Sequence, residues 1–347
     1  MKKQYSLLLS LCVLLLFSCQ KEISKTISSS KVDIYVAGLE VNDNGVTIAT
    51  YWKGGIPVRL GNGTMNSVAN SIAVSGNYVY VAGYEDTIIA GYGGTIVKYW
   101  KNGKSVNLTD GSTIIADATS IVVSGSNVYV AGYDYPGYNA VAVYWKNGVR
   151  VNLTDESNFA MAYSIAVSGN DVYVAGTEES PIGINNYRAT YWKNGTAIRL
   201  TTPHLNSYLS SIVVSGTDVY ATGLESNIPK YWKNGNAMSL PYPQTSFYPD
   251  ATSIAISGND IYVAGYDGYQ SNINTAKYWK NSNAVTLAGD PYSNVNAEAF
   301  SIAISGDDVY VAGHEDKIAK YWKNGKSVNL TDGSTYASAR SIFLSLH

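Results

Sequence analysis

The chain has 347 residues, with 24 Lys or Arg against 26 Asp or Glu and a formal net charge of −2. Charged residues make up only 14% of the sequence and form no basic stripe, so neither a nucleic acid nor an anionic lipid surface is expected as a partner. The chain is long enough to bury a large core without disulfides, and its two cysteines, Cys12 and Cys19, both lie near the N-terminus.

Residues 1–18 are predicted to be an export signal. Lys2 and Lys3 precede an apolar run from Leu7 to Phe17, which is too short to span a bilayer. The run ends in Leu-Phe-Ser-Cys, which resembles the lipobox of bacterial lipoproteins. The resemblance implies that Cys19 is lipidated and anchors the mature chain in the outer membrane of a bacterial cell envelope, facing the periplasm or the surface. The alternative is an ordinary signal peptide with an incidental cysteine.

Residues 19–31 then form the lipidated cysteine and a polar tether rich in Ser and Lys. A flexible coil of this length spans about 20 Å. The anchor is the only membrane contact expected. Residues 32–347 are predicted to form one folded domain.

The folded domain is built from a unit that repeats every 40 to 48 residues. The dipeptide Tyr-Trp marks each copy, and its seven tryptophans are all the Trp in the chain. A period of this length predicts one supersecondary unit copied around a ring or along an array. A residue that recurs in every copy is expected to be there for packing. The tryptophans are Trp52, Trp100, Trp145, Trp192, Trp232, Trp279 and Trp322.

One copy contains four short segments with the composition of β-strands, at residues 164–168, 172–176, 189–192 and 197–200. Asn194-Gly195 between the last two is a strong hairpin signal, because both central residues of that turn need positive φ. The corresponding Lys-Asn-Ser-Asn at 280–283 is expected to form a looser turn. Four antiparallel strands per repeat predict the blade of a β-propeller.

The segments at the two termini complete one another. The chain begins with a second-strand segment at 34–38 and ends with a first-strand segment at 341–346. We therefore predict an all-β, seven-bladed propeller of four-stranded antiparallel blades, closed by strand 341–346 in the N-terminal blade. The pattern SIAVSGNDVYVAG also resembles a bacterial seven-bladed propeller repeat of the type IAVD-x-x-GNVYVTG over about residues 32–347. That resemblance implies the fold and no specific activity.

The longer, variable connections all fall at one end of such a ring, which makes that end the expected binding face. Tyrosines are frequent there, and a tyrosine offers both a flat face and a hydroxyl to a glycan or a protein. The alternative is that these rings only pack the loops onto the rim. The candidate binding residues of this kind are Tyr84, Tyr133, Tyr135, Tyr138, Tyr187, Tyr266 and Tyr269.

An acid also stands two residues after the glycine that ends each second-strand segment: Glu40, Glu85, Asp134, Glu178, Glu225, Asp267 and Glu315. Glu85, Asp134, Asp267 and Glu315 are added to the candidate binding residues as part of a possible electronegative ring. Pairing inside each blade, with Lys98, Lys230, Lys277 and Lys320, is the structural alternative. Carboxylates on separate blades are too far apart to share a calcium ion, so no metal is expected.

Catalysis has little support in the sequence. The three histidines have no metal-binding spacing, and neither a nucleophile elbow nor a phosphate loop is present, so no cofactor is expected. His314 is a candidate binding residue, although a solvated loop position is its simpler interpretation. The leading hypothesis is a monomeric, non-catalytic binding module for a glycan or a protein. The alternatives are a polysaccharide lyase or hydrolase with acids and tyrosines at the axial mouth, and a structural envelope protein.

Overall fold

The computed structural model describes residues 32–180, 186–203, 205–243, 249–269, 273–289 and 295–346, except for the side chain of Tyr269. These residues form seven sheets, each of four antiparallel strands. The domain is therefore the predicted seven-bladed β-propeller. In the part of the chain described, no helix has the length and apolar character needed to cross a membrane. Cys19 and the tether lie outside the described residues.

The first strand of each sheet lies innermost, where it contacts the innermost strands of both neighbouring blades. The innermost strands of blades 1 to 7 are β28 (Ala337–Leu346), β4 (Ser67–Ser75), β8 (Ala116–Ser124), β12 (Ala160–Ser168), β16 (Ser207–Ser215), β20 (Asp250–Ser257) and β24 (Ala297–Ser305).

The second strands are β1 (Val32–Val41), β5 (Tyr78–Ile89), β9 (Asn127–Asp134), β13 (Asp171–Glu179), β17 (Asp218–Glu225), β21 (Asp260–Tyr269) and β25 (Asp308–Glu315). The third strands are β2 (Thr47–Lys53), β6 (Tyr92–Lys101), β10 (Val141–Lys146), β14 (Tyr187–Lys193), β18 (Ile228–Lys233), β22 (Ile273–Lys280) and β26 (Ile318–Lys323). The outer strands are β3 (Ile56–Arg59), β7 (Lys104–Asn107), β11 (Val149–Asn152), β15 (Thr196–Arg199), β19 (Asn236–Ser239), β23 (Asn283–Ala288) and β27 (Lys326–Asn329).

The ring closes through the C-terminal strand, as the sequence predicts. Strand β28 pairs antiparallel with β1 and places Ile342 opposite Val36. It thereby supplies the innermost strand of blade 1. No blade is left incomplete, and the inner edge of every sheet faces another blade rather than solvent.

A serine on each innermost strand joins its blade to the next. Its hydroxyl accepts the backbone N–H of an isoleucine on the neighbouring innermost strand, at 3.1 to 3.4 Å. Seven such bonds run around the axis without a gap. The acceptors are Ser71, Ser120, Ser164, Ser211, Ser253, Ser301 and Ser341.

The seven tryptophans fill the spaces between blades. Each is at most 2% exposed. Trp145 of blade 3, for example, packs with Tyr80 and Ala82 of blade 2. Each tryptophan is thus part of the packing between blades.

The turns between first and second strands and between third and fourth strands lie together at what we call the tight-turn end. In blade 4, Asn194 Oδ1 accepts the N–H of Val172, and Lys193 pairs with Asp171 at 2.8 Å. The turn at 280–283 is not looser, contrary to the sequence expectation. Asn281 and Ser282 both have positive φ, because the Asn281 side chain accepts the N–H of Ile261 as its counterparts do.

A bulge in each innermost strand explains the glycine that ends each second strand. In blade 3 the register shifts between Ala118 and Ser120, which brings the backbone of Asp117 against Gly132. A Cβ on Gly132 would lie 1.9 Å from the Asp117 carbonyl oxygen. The equivalent glycine of every blade meets the same obstacle at 1.9 or 2.0 Å.

We therefore expect Gly132→Ala to lower the free energy of unfolding by about 3 kcal/mol or more, because backbone rather than a flexible side chain must move. Gly93→Ala is the matched control, since a Cβ there meets nothing within 4 Å. It should change stability by less than about 0.5 kcal/mol. Urea denaturation of both variants measures the difference, and equal midpoints would contradict this account of the glycine.

Candidate functional site

The longer connections and the beginnings of the innermost strands lie at the end opposite the tight turns. Two side chains from each innermost strand, and the residue after each second-strand glycine, surround the axis there. We call this surface the axial mouth. Its polar and aromatic members are Asn70, Tyr84, Asp117, Tyr133, Tyr163, Tyr208, Asp250, Tyr266, Glu298, Phe300, His314 and Arg340.

Blades 1, 2 and 3 are connected at the axial mouth by a chain of polar contacts. Arg340 Nη1 donates to Asn70 Oδ1 at 2.7 Å, and Asn70 Nδ2 donates to Asp117 Oδ1 at 2.6 Å. Asn70 Nδ2 also donates to the Ala118 carbonyl at 3.0 Å. The guanidinium of Arg340, which is exposed, is thus held over the axis by its neighbours.

Asp117 is the most perturbed acid of this group. Burial raises its pKa to about 7, although Arg340, the Ala118 N–H and Asn70 all act in the opposite direction. Asp117 lies across from Tyr133 in the strand register. The carboxyl group therefore changes its charge close to neutral pH.

Blades 5, 6 and 7 contribute a second acidic group. Tyr208 is hydrogen-bonded to Asp250, and the Tyr266 hydroxyl donates to Asp250 Oδ2 at 3.5 Å. Burial raises the pKa of Asp250 to about 6 against the effect of these bonds. Burial likewise raises the pKa of Glu298, which accepts a hydrogen bond from Asn274 Nδ2. Neither carboxylate forms an ion pair within the described part of the chain.

His314 lies beside this second group and not in a solvated loop, so that expectation is wrong. It belongs to β25, opposite Glu298, and is only 4% exposed. Its ring contacts Phe300 and Tyr336, with centroids 5.5 and 5.8 Å apart. Burial lowers the pKa of His314 to about 4, so the imidazole is neutral at physiological pH. Its Nδ1 is buried and has no hydrogen-bond partner among the described residues.

Aromatic rings extend from the axial mouth across blades 3 and 4. Centroid distances are 6.3 Å from Tyr133 to Tyr135, 6.2 Å from Tyr135 to Phe159 and 5.1 Å from Phe159 to Tyr187. We call these four residues the aromatic run. Tyr163, on innermost strand β12, contacts Tyr208 with ring centroids 6.3 Å apart. Burial, together with the nearby Tyr135 and Tyr187, raises the pKa of Tyr163 to about 12.

The structure corrects the local setting of several candidate tyrosines. Tyr84, Tyr133, Tyr187 and Tyr266 belong to strands β5, β9, β14 and β21 and not to loops, because these hairpins extend beyond the repeated core. Tyr135 and Tyr138 do lie in a loop, and Tyr138 is fully exposed. The backbone of Tyr269 ends β21, while its side chain lies outside the described atoms.

The acids that follow the second-strand glycines are occupied by ion pairs within their own blades. Lys98, Lys230, Lys277 and Lys320 bind Glu85, Glu225, Asp267 and Glu315 respectively. Blades without that lysine use an arginine of the outer strand: Arg59 binds Glu40, Arg150 binds Asp134 and Arg199 binds Glu178. Asp134 and Asp267 are buried in these pairs. This is the structural alternative anticipated from the sequence.

A shallow groove of about 490 Å³ lies on the outer side of the same end, between blades 2 and 3. The Asp134–Arg150 pair forms part of its wall. An adjoining hollow of about 500 Å³ is lined by Ile114, Ile115 and Tyr135. Among the described residues no group of three or more His, Cys, Asp or Glu is arranged to hold a metal ion.

Sequence reasoning missed the polar members of the axial mouth. Asp117, Asp250, Glu298 and Arg340 all lie in innermost strands, whereas the sequence points to the longer connections as the binding face. A signal was present, because the position three residues before the repeated serine reads Ser, Val, Asp, Met, Tyr, Asp and Glu in blades 1 to 7. The residues on either side of this position are small in most copies, while the position itself varies. Packing alone does not explain such variation.

We expect Asp117→Asn to reduce the pH dependence of stability. Between about pH 4 and about pH 7 the unfolded chain has released this proton while the folded chain keeps it, so the native state loses stability as pH rises through that window. The variant should recover roughly 1–3 kcal/mol of the loss. Urea unfolding at both ends of the window tests this. The exposed Asp307→Asn is the control, and identical pH profiles for the two variants would refute the assignment.

Comparison with known proteins supports the fold. Residues 68–89, 160–179 and 249–269 match the LVIVD repeat. Each matched segment covers the innermost and second strands of one blade, namely blades 2, 4 and 6. Three of the seven blades thus contain a segment that is similar to the LVIVD repeat.

No curated protein sequence matches the chain. Among solved structures it resembles a puromycin-hydrolyzing peptidase of Mycobacterium tuberculosis, with a TM-score of 0.57 and 13% sequence identity. The match covers 87% of this chain and 52% of the peptidase, so the chain spans about half of that protein. At this identity the likeness concerns the fold alone.

Proposed function

We propose that this protein is a lipid-anchored, exported binding module that holds a saccharide at the axial mouth. The observation that supports the proposal is the meeting of the aromatic run with the carboxyl groups of Asp117, Asp250 and Glu298 around one axis. Seven blades bring these side chains together from strands that are distant in the sequence.

A saccharide fits this combination of groups. Aromatic faces pack against the apolar faces of sugar rings, while carboxylates and tyrosine hydroxyls bond to sugar hydroxyls. Tyr135 is only partly buried, so part of its ring is open to a ligand. A protein partner would instead be expected to use the exposed apolar side chains of the outer rim, such as Ile114 and Tyr138.

One observation favours a second candidate, a polysaccharide lyase or hydrolase. Asp117 and Asp250 have pKa values raised to about 7 and about 6, which are suitable for a general acid near neutral pH. A purely structural envelope protein is the weakest candidate, since it leaves these buried acids without a role.

The membrane anchor rests on the sequence around Cys19. The described chain enters the ring at Val32, opposite Leu346 at the tight-turn end.

Replacement of Cys19 by alanine should release the protein from the membrane fraction, because the acyl chains have no other attachment point. Fractionation of cells that express either form measures this. A Cys19→Ala protein that still sediments with membranes would exclude the lipoprotein assignment.

The saccharide proposal is tested by a glycan array followed by calorimetry with the best ligand. Tyr135→Ala and Tyr187→Ala should each weaken binding about tenfold while the melting temperature changes little, because partly exposed aromatic rings contribute contact area to a ligand. Tyr138→Ala on the rim is the control and should bind normally. Unchanged affinity in all three variants would place the ligand elsewhere.

A reducing-sugar assay on the same ligands separates binding from catalysis. The binding module should release no new reducing ends. Turnover that is abolished by Asp117→Asn or Asp250→Asn would replace the binding proposal with the enzyme candidate.

A further inference from the structure

We infer that the ligand of the axial mouth carries a protonated amino group, which Asp250 and Glu298 neutralise. The inference rests on the proposed saccharide function and makes its ligand more specific: an amino sugar with a free amine. Asp250 and Glu298 lie on the neighbouring strands β20 and β24, and the charge of Glu298 contributes to the raised pKa of Asp250.

The first argument is the charge left open in this half of the mouth. The partners of Asp250 are the Tyr208 and Tyr266 hydroxyls and a backbone N–H, and the partner of Glu298 is the Asn274 amide. All of these are neutral. A half-buried carboxylate whose hydrogen-bond partners in the described part of the chain are all neutral gains from a cation, which offsets the cost of partly desolvating its charge.

Arg340 is the cation of the mouth, but it does not neutralise Asp250 and Glu298. It is bonded to Asn70 on the side of Asp117, and it forms no ion pair within the described residues. Its charge lowers the pKa of Glu298 less than burial raises it. With all groups ionised, the mouth therefore has three carboxylates and one guanidinium.

The second, independent argument is an open hydrogen-bonding position in the same wall. His314 is only 4% exposed and lies opposite Glu298 in the strand register. Its Nδ1 has no hydrogen-bond partner in the described part of the chain. Ser210 Oγ, two residues after Tyr208, is also buried without a partner among the described residues. Buried polar atoms are nearly always paired in native structures, so these two atoms leave hydrogen-bonding capacity beside Glu298 and Tyr208 that the described residues do not use.

The walls of the mouth favour an ammonium group over a metal ion. Tyr208 and Tyr266 flank Asp250, and aromatic faces attract organic cations. A hard metal ion needs several converging oxygen ligands, and the described residues contain no such cluster. The neutral imidazole of His314 adds no repulsion toward an ammonium group.

The test compares two tetrasaccharides that differ only in their amines: chitotetraose, which is N-acetylated, and its fully deacetylated counterpart. Calorimetry on the mature protein should show about tenfold tighter binding of the free amine, the effect of one charge-assisted contact. Asp250→Asn and Glu298→Gln should each reduce that ratio toward one. Asp307→Asn, an exposed acid at the tight-turn end, should leave the ratio unchanged.

The outcomes separate the two claims. Equal binding of both sugars overturns the amine inference and leaves the saccharide function standing. If the protein binds neither sugar and also binds nothing on the glycan array, both the amine inference and the saccharide function are overturned. The amine could also be preferred in both mouth variants, with the preference lost at high salt concentration. That result would indicate non-specific charge attraction and would overturn the inference. Near-ultraviolet circular dichroism checks folding, and Glu298→Gln carries the test alone if Asp250→Asn does not fold.

Discussion

Each innermost strand is the edge of its own sheet, so its outward backbone N–H groups have no partner in the ladder. The ring meets this constraint with the serine that begins each SIAVS-type segment, whose hydroxyl accepts the isoleucine N–H of the next blade. Seven such bonds fix the spacing of the inner strands, and that spacing decides which side chains meet at the axis. The bulge beside each serine then turns one further residue, such as Asn70 or Arg340, toward a neighbouring blade.

The two ends of the propeller are built on different principles. At the tight-turn end, nearly every blade repeats one arrangement, in which a lysine lies over the tyrosine of the second strand, as Lys193 does over Tyr173 at 5.2 Å. At the axial mouth the groups differ from blade to blade, except that blades 3 and 6 both present an aspartate, a threonine and a tyrosine. Contacts that are the same in every blade stabilise the scaffold. Side chains that differ between equivalent positions make the mouth asymmetric, so that a ligand can bind there in one orientation. That contrast is the physical reason to look for ligand binding at one end and not at the other.

The repeat predicted the architecture well because its signals are local. Tyr-Trp spacing gave the blade count, Asn-Gly gave the hairpins, and the partial units at the termini indicated closure by 341–346, which β28 realises. The mouth was less accessible to such reasoning. The surroundings of Asp117 and Asp250 depend on the bulge and on the angle between blades. The sequence of a single strand does not determine that angle. His314 was misjudged for the same reason, because Phe300 and Tyr336 bury it from other parts of the chain.

Closure by β28 also sets the order in which the molecule is completed. Strand β1 is among the first structured segments to be synthesised, yet its inner partner is made last, some three hundred residues later. Until then β1 has a free edge, and the serine bonds of Ser301 and Ser341 are missing from the ring. Arg340 arrives on that same strand. A truncated or half-made chain therefore has neither a sealed ring nor a complete axial mouth, and the mouth is completed in the same step in which the free edge of β1 is covered.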